Sequence, residues 1–173
     1  KKISLSASDR DKLAEDTAGV PLAIAWTIGQ IHYGRPVKDA LLRLKSAGGD
    51  YAKFCFSESI ELLQKEHKRY AIRLLMSLAL FADSATRDAL GFVCGLQDSK
   101  DVRDEGLADL TRLSLINYDG SRFSMLPLTK EYATAELGRD LSFREESTNR
   151  WLQWHIRLTE QASGGKVDLD ASV

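Results

Sequence analysis

Apolar residues recur at helical spacing along most of this chain and alternate along one short stretch. The first helix is expected from about Asp9 to Thr17, with Ser8 as its N-cap and Gly19 as its stop. Asp9 and Asp11 fall in the first turn, where the helix dipole favours negative charge. Pro21 stands where a helix prefers to begin. Leu22, Ala25, Ile28 and Gly29 then make the stripe of a second helix, which Trp26 widens and Gly34 ends. Pro36 opens a third helix, with Val37, Ala40, Leu41 and Leu44 on one face and Gly48-Gly49 beyond it. From Tyr51 the spacing loosens through Phe54, Phe56, Ile60, Leu62 and Leu63, then meets a charged run from Lys65 to Arg69. Ala71, Ile72, Leu74, Leu75, Leu78, Ala79 and Phe81 are too dense for a surface helix and predict a central core helix. Asp83 and Ser84 break it, and Thr86 restarts a helix through Ala89, Leu90, Val93 and Cys94 to Gly95. The next runs from Asp101, as cap, to Leu115, with Leu107, Leu110 and Leu113 inward and Arg103, Asp104, Asp109 and Arg112 outward.

The alternating stretch follows. Ile116 and Tyr118 precede Asp119-Gly120, and Phe123 and Met125 come after it, the pattern of a β-hairpin about a tight turn. Pro127 then starts a helix carrying Leu128, Tyr132, Ala135 and Glu136 as far as Gly138. From about residue 66 the order is therefore helix, helix, helix, hairpin, helix, which predicts a winged helix-turn-helix. The expected fold is mainly α: a small helical unit over 1–65, the winged helix with its one short hairpin over 66–140, and a linking helix and tail over 141–173. That last helix carries Leu141, Phe143, Trp151, Leu152, Trp154, Ile156 and Leu158. Trp151 and Trp154 suit either a core or the cover of a following repeat domain, and the Gly- and Asp-rich tail from Ser163 is expected to fray. No internal repeat is visible.

Charge changes the picture at one point. Lys and Arg total 24 against 25 for Asp and Glu, a formal net charge of -1, so nothing overall advertises a polyanionic partner. The third helix of the winged unit is itself acidic, with Asp101, Asp104, Glu105 and Asp109 against Arg103 and Arg112, which disfavours contact with DNA phosphates. Cys55 and Cys94, far apart in apolar company, predict buried free thiols in a reducing, cytoplasmic compartment. No apolar run approaches the ~20 residues of a membrane span, and no signal peptide is visible. His32, His67 and His155 have no metal-ligand spacing, and Ser77, Ser114 and Ser124 lack a nucleophile context. The run Lys65-Glu66-His67-Lys68-Arg69 reads as a solvated face. With no GxxxxGK[ST] loop to cradle phosphate, this stretch alone is not expected to be an enzyme.

Several of these segments resemble, in order, parts of the NB-ARC/STAND nucleotide-switch family, which includes plant disease-resistance proteins, apoptotic-protease activating factors and bacterial regulators. Gly19-Val20-Pro21 with Leu22-Ala23-Ile24 resembles its GLPLA element, and Leu74–Asp83 (LLMSLALFAD) the start of its winged helix. Leu107–Asn117 (LADLTRLSLIN) resembles its third helix, and Arg122–Leu137 (RFSMLPLTKEYATAEL) its MHPLVREYA segment. The likeness covers about residues 5–140. It implies a regulatory module that closes over ADP or ATP, with Mg, held by a separate upstream P-loop ATPase domain. It also implies a downstream sensor or repeat domain and a homo-oligomer on activation. Pro21 would lie against the adenine, and Met125, Leu126 and Pro127 would face the phosphates. The family places a histidine before that proline, in contact with the bound diphosphate; Leu126 stands there in this chain and offers no hydrogen-bond donor. A winged-helix DNA-binding regulator and a protein-interaction adaptor are the alternative readings.

Overall fold

The structure, a computed structural model, describes residues 5–167, with side chains described as far as residue 162. In chain order the elements are α1 (Ala7–Asp16), α2 (Pro21–Tyr33), α3 (Val37–Leu44), α4 (Tyr51–Lys65) and α5 (Arg69–Ala79). Next come β1 (Ser84–Thr86), α6 (Arg87–Cys94), α7 (Lys100–Arg112), β2 (Asn117–Tyr118), β3 (Arg122–Ser124), α8 (Pro127–Arg139) and α9 (Leu141–Val167). The fold is mainly helical with one small sheet, and from α5 onward its order is that of a winged helix-turn-helix. Among the described residues no helix is long and apolar enough to cross a membrane.

Local chemistry moves several boundaries from their expected places. Ser6, not Ser8, caps α1, because its hydroxyl accepts the Asp9 N–H at 3.1 Å while Ser8 already lies inside the helix. Ser99 precedes α7, so Asp101 sits in its first turn. That helix stops at Arg112 rather than Leu115, since Ser114 turns the chain with φ +58. Gly138 lies within α8, which continues to Arg139. The tail expected to fray from Ser163 begins inside α9, and residues 168–173 lie outside the described residues.

The sheet holds one strand more than the hairpin. β1 pairs antiparallel with β3, Ala85 opposite Phe123, and β2 pairs on the other side, Tyr118 opposite Phe123, giving the order β1-β3-β2. Residues 83–84, expected only to break a helix, thus lead into a strand. The hairpin loop is Asp119, Gly120 and Ser121. The Asp119 carboxylate accepts the N–H groups of Ser121 and Arg122 at 2.8 and 2.7 Å, and Gly120 supplies φ +102.

One continuous core runs from Leu13 to Phe143 and draws on all three expected segments. In α2 the deeply buried positions are Ala23, Trp26, Thr27, Gly29, Gln30 and Ile31, while Leu22, Ala25 and Ile28 are only half-buried. Of the expected stripe Trp26 and Gly29 are deeply buried, and two polar residues take inner positions beside them. Thr27 bonds to the Ala23 carbonyl at 2.8 Å, and the Gln30 amide donates to Cys55 O at 2.8 Å and Ser59 Oγ at 3.0 Å. Gln30 Oε1 in turn accepts from the buried Arg35 at 2.6 Å, and Arg35 pairs with Glu58 at 2.7 Å. Every partner in this network is satisfied, which is the condition for polar groups to be tolerated in a core.

Candidate functional site

β3 delivers Met125, Leu126 and Pro127 to the start of α8. Met125 packs partly buried against the core. Leu126 occupies the N-cap position with an extended backbone (φ -68, ψ 152), is 48 % exposed, and makes no side-chain capping bond. Pro127, exposed at the first helical position, brings no N–H of its own. The first turn is anchored from below, where the Lys130 ammonium donates to the carbonyls of Phe81 and Ala82, both at 2.7 Å. Those carbonyls lie just ahead of β1, so one lysine fixes the helix start to the sheet.

Pro21 is also exposed and also opens a helix, α2. The two helices meet one turn further in. Trp26 and Tyr132 have ring centroids 6.3 Å apart, and Phe56 of α4 completes the cluster at 5.7 Å from Trp26 and 5.3 Å from Tyr132. The Trp26 indole N–H donates to Ser114 O at 3.1 Å, binding α2 to the turn after α7.

The face formed by α7 and the wing is the other place where a winged helix does its work. Two α7 residues expected outward, Arg103 and Asp109, are buried. Arg103 binds Asp104 at 2.7 Å and Asp88 at 2.9 Å. Asp109 takes Lys68 at 2.6 Å and Arg112 at 3.4 Å. Lys68 is therefore not part of a solvated run; it closes α5 onto α7 and also meets Glu105 at 3.0 Å. Burial works against its charge, but the hydrogen bonds to Asp109 and Glu105 prevail and hold the ammonium above the ordinary lysine range. Gly106, Asp109 and Leu113 share helical spacing and burial, so the position of Asp109 on the inner stripe was available from the sequence; its charge hid it.

Two further cations of this face are also engaged, Arg122 and Arg87. Arg122 donates to Ser84 Oγ at 2.7 Å and Ser84 O at 2.9 Å, tying the wing to β1. Arg87, which no sequence pattern singled out, pairs with Asp104 at 3.0 Å and lies over the rings of Tyr118 and Phe123 at 5.9 and 5.7 Å. Its role depends on β1 carrying it beside the hairpin. Between α7 and the wing runs a groove of about 450 Å³, lined by Leu107, Ala108, Thr111, Tyr118 and Phe123.

His32 and His67 are exposed and His155 is half-buried against Trp151 and Phe81, each in a different part of the fold. Cys55 and Cys94 are both free and buried. No family model matches this chain, and no curated protein and no solved structure matches it.

Proposed function

We propose that this chain is the helical-plus-winged-helix regulatory module of a STAND-type (NB-ARC) signalling ATPase, acting as a conformational switch over nucleotide held by a separate P-loop domain. The observation that carries the reading is the exposed segment Leu126-Pro127 at an uncapped helix start, held rigidly by Lys130. An apolar turn kept in solvent on a fixed scaffold suits docking against another protein surface. The free N–H groups of an uncapped first turn also favour an anion, a donor source that does not require a histidine at position 126. Pro21 is the adenine-side contact in this reading, and Met125, Leu126 and Pro127 face the phosphates. The upstream P-loop domain, a downstream sensor domain and an oligomer formed on activation are its partners.

Two measurements test it. The encoded protein ahead of residue 1 is expected to contain a GxxxxGK[ST] loop, and a sequence without one sinks the proposal. In the intact protein Leu126→His is expected to slow ADP release about tenfold, the scale of one added hydrogen bond to a charged group. Unchanged release in a stopped-flow chase with labelled ADP would separate position 126 from the phosphates.

The element order favours a second reading, a DNA-binding winged helix. The charge state of the face weighs against it, since Arg87, Arg103, Arg112 and Arg122 all have partners within the protein. Salt-dependent retardation of duplex DNA in a gel shift would reverse that order of preference.

A further inference from the structure

The chain from Phe81 to Thr86, the first turn of α6 and the second half of α9 enclose a cavity of about 370 Å³. That volume lies at the lower end of the ~300–1,000 Å³ usual for small-molecule sites. Pro21, Met125, Leu126 and Pro127 do not line it, so a ligand here is independent of the switch proposed above. The hollow exists because two of its buried lining residues, Ala85 and Ala89, are too small to fill it. Its aromatic wall is fixed in advance. Trp154 packs on Phe92 with ring centroids 5.7 Å apart, and His155 meets Trp151 at 4.3 Å and Phe81 at 6.0 Å. His155 Nδ1 bonds to the Trp151 carbonyl at 2.8 Å, which holds the imidazole in place. Leu158 continues the wall and is 46 % exposed, leaving apolar area without cover.

Two opposite charges, Arg122 and Asp83, line this same cavity and do not pair with each other. Arg122 donates to Ser84 Oγ at 2.7 Å and Ser84 O at 2.9 Å, both neutral acceptors, and keeps further N–H groups unspent. The Asp119 carboxylate of the same hairpin is committed to the backbone N–H groups of Ser121 and Arg122. Asp83 enters no hydrogen bond or ion pair among the described residues. Lys130 is bound to the carbonyls of Phe81 and Ala82 and does not line the cavity. A simple anion gains Arg122 here but meets Asp83, and a simple cation gains Asp83 but meets Arg122. A dipolar ligand gains from both.

We propose that this cavity binds a free amino acid with an apolar side chain. Its α-carboxylate lies on Arg122, its α-ammonium on Asp83, and its side chain against Trp154, Phe81 and Leu158. Each exposed charge contact is weak alone in water. Made together by one small molecule, the three contacts share a single cost of immobilisation. Ser84 lowers that cost further, because it already holds the guanidinium of Arg122 in place. The side chain adds burial of the apolar area that Leu158 leaves open.

The test uses the full chain, isotope-labelled, titrated with L-phenylalanine and followed by backbone amide shifts. Saturable shifts centred on residues 81–89, 122 and 154–158 are expected. Glycine lacks the side chain, 3-phenylpropanoate the ammonium and 2-phenylethylamine the carboxylate. Each is expected to bind at least about tenfold more weakly, the loss of one contact. Asp83→Asn is expected to weaken phenylalanine by a similar factor and to leave 3-phenylpropanoate undiminished, since that ligand has no ammonium to lose. Asp83 is exposed, so the variant is expected to fold, and an unchanged circular dichroism spectrum checks this. Four results overturn the proposal: no saturable shift with phenylalanine, equal binding of any truncated ligand, equal phenylalanine affinity in Asp83→Asn, or a variant that weakens phenylalanine and 3-phenylpropanoate alike. The last would show a disturbed loop rather than a lost charge contact.

Discussion

At position 29 the packing admits a hydrogen atom and nothing more. A Cβ built on Gly29 would lie 2.5 Å from the carbonyl oxygen of Leu113, which is backbone and cannot rotate aside. Gly29→Ala is expected to lower stability by about 1–3 kcal/mol, the range for over-packing, read as a lower urea midpoint at unchanged slope. An equal midpoint would mean that α2 and the end of α7 separate without cost. Cys94 gives a second expectation at this scale. Burial pushes its thiol up to about 12, with the hydrogen bond to Ser77 only partly offsetting it. The thiolate is the reactive form, so native protein is expected to resist iodoacetamide at mildly alkaline pH and to be labelled once unfolded. Prompt native labelling would place Cys94 nearer the surface. The sequence already implied both buried thiols and put Gly29 on an apolar stripe. It could not identify the partner of Gly29, because helical periodicity reports which way a residue faces and is silent on what it meets.

Among the elements, those built from local signals were legible. The apolar density of α5, Thr86 at the start of α6, the turn at Asp119-Gly120 and Pro127 at the start of α8 each depend on neighbours a few residues away. β1 was not legible. It is three residues long, and what makes it a strand is pairing with β3, which comes after two helices. The same gap concealed Arg87, since only β1 sets it over Tyr118 and Phe123. Thr86 links the two elements: it ends β1, and its hydroxyl accepts the Ala89 N–H at 3.2 Å as the cap of α6. Thr86→Ala is expected to cost about 1 kcal/mol, the usual loss for an N-cap, and to loosen amide-exchange protection in the first turn of α6. Undiminished protection there would assign the capping to other groups. Of the candidate site, the run 125–127 was readable, but its rigidity was not, because Lys130 holds it through carbonyls at 81 and 82.

For the molecule as a whole, carboxylates that folding holds in the charged form set the response to acid. Asp104 is held below the ordinary carboxylate range by the hydrogen bond from Arg103, and Asp140 by the Phe143 N–H. A lowered value in the folded state means that the unfolded chain takes up the proton first. The stability these groups add is complete above their unfolded values and is lost as the pH falls through the folded ones. The urea midpoint is therefore expected to drop on acidification. Asp140→Asn should make that drop smaller, and an unaltered drop would remove Asp140 from the effect. The bond from Trp26 to Ser114 has a consequence of another kind. It spans 88 residues. At ~5–20 residues per second of synthesis, a ribosome releases the indole roughly 4–18 s before the carbonyl that receives it. For that interval the largest side chain of the eventual core has Phe56 to pack against but no acceptor for its N–H. A nascent chain stalled short of Ser114 is expected to be captured by a chaperone more readily than one stalled beyond it.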